Sequence, residues 1–197
     1  MRTFTFTQIN SISQFRTTNT MSQSATLYRI SQDTFGHLVK LDSKQQFDIT
    51  SAKSHATFQG SFMGLEYVLS KGQDALTVEL IGEIFNPKQL LGGQEFNRLI
   101  PEEQLAFYER GRFIQYLDTT TISKLNDFLN TVLEIDIYSK YNATELNDNG
   151  IYPEVWHNDN SLDQAYNRRQ ILDDLKELKA IVSQAHNQGD YILVFVG

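Results

Sequence analysis

The spacing of apolar positions divides the chain into short strands and helices that follow a polar start. Ala25-Thr26-Leu27-Tyr28-Arg29-Ile30 alternates as a half-buried strand does. Ser31 and Asp33 then offer side-chain oxygens to the unpaired amides of a helix lined by Phe35, Leu38, Val39 and Leu41. Residues 42–58 are polar and irregular. Phe62, Leu65, Val68 and Leu69, with Glu66 among them, recur at helical spacing up to Gly72, a residue suited to the left-handed end of a helix. Leu76, Val78 and Leu80 alternate with Thr77 and Glu79 and read as a strand, although Ala75 to Phe85 also fits a helix. Gly92-Gly93 marks a turn, Pro101-Glu102-Glu103 opens a short helix that Gly111 ends, and Phe113, Gln115 and Leu117 pass as a strand. Asp118 and the threonines after it cap a helix lined by Ile122, Leu125, Phe128, Leu129 and Val132.

Asn147-Asp148-Asn149-Gly150 is a turn, because Asn and Gly accept positive φ and Asp bonds its own backbone. Apolar residues at Leu162, Ala165, Tyr166, Leu172, Leu175, Leu178, Val182 and Ala185 make one stripe, predicting a helix from Ser161 to about Gln188 that Gly189 stops. Its start would be capped by Asn160 or Ser161. Tyr191 to Val196 is apolar at six successive positions, so both faces should be covered, as in an interior strand of a mixed or parallel sheet. The pattern predicts an α+β domain: a small mixed β-sheet packed against several helices, with the last strand inside it.

Gly150-Ile151-Tyr152-Pro153 with Trp156, and Gln188-Gly189-Asp190 leading into Ile192-Leu193-Val194, carry a likeness to a known family. In these segments the chain resembles the YfbM-like bacterial proteins, a domain of unknown function. The likeness covers residues 21–197 and is strongest from Leu117 to Gly197. A weaker match is Phe62-Met63-Gly64-Leu65-Glu66, where relatives often begin with Trp-His and carry another His near the middle; here those places hold Phe62, Met63 and Glu66. The resemblance implies a bacterial α+β domain with no established substrate, cofactor or catalytic residue. Residues 1–20 stand outside it. They are rich in Ser and Thr, hold Phe4, Phe6 and Phe15, and lack any acid, so they are expected to form a poorly ordered extension, from an upstream start or a targeting segment.

Composition narrows the chemistry. A length of 197 residues with 40% hydrophobic content suffices for one core without staples. The chain has no Cys, which removes disulfides, thiolate catalysis and Cys-type zinc sites, and suits the cytoplasm. No run approaches the roughly 18 apolar residues of a membrane span. The net charge is −7, and since Arg2 and Arg16 are the only charges in the first 20 residues, the remainder is two charges more acidic. Such a body repels nucleic-acid phosphates.

Phosphate-cradling glycine motifs, the nucleophile elbow and a helical zinc pair are all missing from the sequence. His37, His55, His157 and His186 lie in separate elements, and Asn158-Asp159-Asn160 with Asp163 lacks the glycine and the closing Glu of a calcium loop. No metal or cofactor is therefore expected. The constellation that remains is Tyr152, Glu154, Trp156 and His157, with Glu66 as a base if the fold brings it near. Two aromatics beside a titratable His can make a ligand pocket or a partner hot spot. They can equally fix a turn, with Trp156 filling the core and its indole N–H on a backbone acceptor. Two functions stay open: a non-catalytic protein-binding or immunity-like module, and a small-molecule-binding domain or enzyme at that turn.

Overall fold

A computed structural model describes residues 23–40, 47–91, 100, 102–103 and 114–197. The expectations for residues 1–20, for Gly92-Gly93 and for Gly111 lie outside those residues, and of the helix opened by Pro101 only Glu102 and Glu103 fall within them. Among the described residues, five strands form one sheet in the order β2-β1-β5-β4-β3. They are β1 (Ser24–Ile30), β2 (Ser54–Gln59), β3 (Gln89–Leu90), β4 (Gln115–Leu117) and β5 (Tyr191–Val196). The helices are α1 (Gln32–Lys40), α2 (Phe62–Ser70), α3 (Ala75–Gly82), α4 (Thr119–Thr131), α5 (Glu134–Lys140), α6 (Ala143–Asp148) and α7 (Arg168–Gln188). The architecture is α+β.

β5 is interior, paired with β1 on one side and β4 on the other. Leu193 and Val194 point to opposite faces and are 0% and 3% exposed. The expected mixed sheet is corrected: every pairing between these five strands is antiparallel. The two-sided burial of β5 does not come from crossover helices on both faces. On one face Ala25, Leu27, Ala56, Phe58, Leu117, Ile192 and Val194 meet the helices in the core. On the other, aromatic rings provide the cover: Phe35 of α1 stacks on Tyr191 at 3.9 Å, and Tyr28 meets Phe47 and Phe195 edge-on at 5.7 and 5.6 Å.

β2 lies in the stretch read as irregular. Ser54-His55-Ala56-Thr57-Phe58-Gln59 brings only two apolar side chains inward, but its register on β1 sets Thr57 beside Thr26, with their hydroxyls 3.1 Å apart. Residues 75–82 are helical rather than extended, because Asp74 accepts from the amides of Leu76 and Thr77 and leaves Leu76 79% exposed. α7 begins at Arg168, not Ser161. Its cap is Asn167, fully buried, which accepts from Gln170 N and donates to the carbonyls of Ser161 and Gln164. The first apolar position of the expected stripe, Leu162, is 81% exposed.

Candidate functional site

The Ile-Tyr-Pro turn is seated on α6, which Asn142 caps by accepting from Glu145 N and which gives way to Gly150 at φ 64°. Asn147 then takes both backbone groups of Trp156, Oδ1 accepting from its N at 2.8 Å and Nδ2 donating to its O at 3.0 Å. This one carboxamide replaces a strand partner and fixes the indole's direction. Trp156 is 3% exposed, its Nε1 donates to Ile151 O at 2.9 Å, and Tyr141 and Tyr166 meet it edge-on. A side chain at Gly64 would collide with the indole, so α2 meets Trp156 through a residue without a Cβ. Gly60, at φ 70°, is similarly covered by Tyr166 and Tyr152. The two glycines spaced four apart thus receive aromatic rings.

The other candidates are dispersed. Tyr152 is half-buried over Gly60, its hydroxyl accepting from Gln23 N at 3.1 Å. Glu154 is exposed at φ 64°, its amide donating to Ile151 O. His157 is tied by its backbone: N donates to Tyr166 O at 2.9 Å, and O accepts from the Tyr141 hydroxyl at 2.7 Å. Glu66 follows Gly64 by two residues, about 200° around a helix. It therefore faces away from Trp156 and toward Gly82 of α3. The fold gathers Tyr152 and Trp156 into one aromatic knot and leaves Glu66 outside it.

Three titratable groups are strongly perturbed. Burial pushes the Glu66 carboxyl up to about 7 and the Tyr141 phenol up to about 12. Asp174 of α7 is 8% exposed, and burial raises it to about 6. The nearby Ser61 hydroxyl pulls the other way without completing a hydrogen bond, and both Ser61 Oγ and Asp174 Oδ2 are buried without a full partner. Among the described residues, no three His, Asp or Glu side chains cluster as metal ligands would.

The sequence reading missed a cleft of about 160 Å³ between the end of α2, the end of α4 and the face of α5. It is lined by Val68, Leu69, Gln73, Thr131, Val132, Asp136, Ile137 and Lys140. The available signal was Asp136 and Lys140 at four-residue spacing around the buried Ile137. Beside it, Leu133, Ile135 and Tyr138 are 60%, 65% and 44% exposed. The Arg168 guanidinium lies 5.0 Å from the Tyr138 ring centre. Arg169 pairs with Asp173 one turn on.

Comparison with known proteins reaches the same fold. The family described as Domain of unknown function (DUF1877) matches residues 21–195. The chain belongs to this family. The DUF1877 fold is also seen in the crystal structure of a protein of unknown function, YfbM from Escherichia coli. The two chains are 13% identical with a TM-score of 0.57, over 88% of this chain and 99% of that one. No curated protein matches the chain. Neither the DUF1877 family nor the YfbM structure brings an established function.

Proposed function

We propose that this DUF1877 domain is a non-catalytic, cytoplasmic protein-binding module, immunity-like in that an acidic body caps a basic partner. One observation carries the reading: Leu133, Ile135 and Tyr138 stand exposed together on and beside α5. The Tyr152 and Trp156 side chains that would have built an active site are instead occupied in packing. Tyr with Arg beside it is the pairing that interfaces favour, and Arg168 already sits on the Tyr138 ring. The chain's net charge of −7 would speed encounter with a basic surface and make it salt-dependent. The test is affinity capture with the full chain and with an Ile135→Asp/Tyr138→Ala variant, followed by rebinding of the purified partner. A partner bound at low salt, weakened by salt and lost to the variant is expected. Equal binding by both proteins would place the interface elsewhere and overturn the reading.

A second reading, a small-molecule enzyme, draws on Glu66. A half-buried carboxyl near neutrality is what a general acid or base needs. Glu66→Gln should then abolish a turnover that the partner-binding variant retains; turnover surviving Glu66→Gln would sink it.

A further inference from the structure

The cleft between α2, α4 and α5 combines an apolar floor with charges of opposite sign on one helix face. The floor is Val68, Leu69, Val132 and Ile137, each at most 8% exposed. Asp136 and Lys140 line the rim one turn apart on α5, yet no ion pair joins them. Asp136 uses Oδ2 to accept from Leu133 N at 2.7 Å, which leaves Oδ1 for a guest. Among the described residues, neither Lys140 Nζ nor the Gln73 carboxamide hydrogen-bonds to another side chain. The neighbouring cations are already engaged: Lys71 pairs with Glu145, Lys176 with Glu134, and Lys179 Nζ donates to Val132 O at 2.5 Å. The carbonyl end of α4 is thus offset by Lys179, and Lys140 keeps its charge for the cleft.

We infer that this cleft binds a free apolar α-amino acid, with Asp136 and Lys140 reading its two charges and the floor taking its side chain. The ammonium donates to Asp136 Oδ1, while the carboxylate accepts from Lys140 Nζ and the Gln73 amide. Either charge alone would leave one of the pair unmatched in a partly desolvated place. The size agrees, since a dry cavity of about 150 Å³ accommodates a guest the size of benzene, and the side chain of leucine or valine is smaller. Drug-sized ligands need about 300 Å³ or more and do not fit. This site is independent of the protein-binding reading, which concerns the exposed outer side of α5.

The test titrates the full-length, isotope-labelled chain with L-leucine and follows the backbone amide resonances. Isovalerate, which lacks the α-carbon together with its ammonium, isoamylamine, which lacks the carboxylate, and glycine, which lacks the side chain, serve as comparison guests. Leucine should give saturable shifts at Gln73, Val132 and Ile137 with a dissociation constant on the order of 1 mM, the range expected of so small a ligand. Isovalerate, isoamylamine and glycine should each bind at least about tenfold more weakly. Lys140→Gln, with its spectrum otherwise retained, should weaken leucine by at least about tenfold. Absence of saturable shifts with leucine, equal binding of isovalerate, or undiminished binding to Lys140→Gln would each overturn the assignment. None of these outcomes bears on capture of a protein partner.

Discussion

At the scale of single residues, Gly64 against Trp156 is the tightest approach to a glycine among the described residues. A methyl at Gly64 meets the indole ring, and an indole fixed at Nε1 and at both backbone groups has no room to retreat. Gly64→Ala should gain about 1 kcal/mol of helix propensity and lose more to overpacking, for a net cost of about 1–3 kcal/mol. Chemical denaturation followed by Trp156 fluorescence measures this directly, and a variant as stable as the parent would show that the indole can shift. The buried carboxyls make a second prediction. Glu66 is raised from an ordinary 4.5 to about 7, and Asp174 from 3.8 to about 6. Because the folded values lie above the unfolded ones, the fold holds the protons more tightly, so both contributions favour folding below about pH 4. They are lost as pH climbs from about 4 to about 7, the reverse of a salt-bridged carboxylate. Asp174→Asn should therefore stabilise by about 3 kcal/mol at pH 8 and by little at pH 4. Denaturation midpoints at the two pH values decide it, and a gain independent of pH would locate the effect elsewhere.

At the scale of elements, caps decide boundaries that periodicity leaves open. Asn167 both accepts from Gln170 N and satisfies two loop carbonyls from a fully buried position. Asn167→Ala should cost about 2–4 kcal/mol by thermal or chemical melting, a cap together with buried carbonyls left unpaired. A cost below about 0.5 kcal/mol would mean that water replaces the side chain. Elements with a strong single period were legible: β1, the α2 stripe, the α4 face with Asp118 as cap, and β5 as an interior strand. β2 was not, because two inward residues among six give too little alternation, and its stability comes from the register β1 imposes. α7 was read as starting seven residues early, because Leu162, Ala165 and Tyr166 fit its stripe although the chain there turns through Tyr166 at φ 54°. Of the candidate site, the sequence showed which residues were unusual but not that Asn147 and Gly64 had already claimed Trp156. The cleft residues come from three helices separated by some seventy positions, and no local pattern joins them.

At the scale of the whole molecule, the family match begins at residue 21 and leaves the first 20 residues outside it. Deleting them should leave the melting temperature unchanged within about 2 °C, whereas a loss of 1 kcal/mol would move it by roughly 2–4 °C in a domain of this size. A larger fall would make the segment part of the fold. The position of β5 bears on how the chain reaches this state. Ser24 and Gly197, hydrogen-bonded across the first and last strands, are 173 residues apart in sequence, and β5 is the only described link between the β2-β1 pair and the β4-β3 pair. A nascent chain on the ribosome would therefore carry two half-sheets with open, hydrogen-bonding edges until β5 emerges. Joining them through β5 demands closure of a long loop, so folding should be slow, with aggregation or chaperone capture as its competitors.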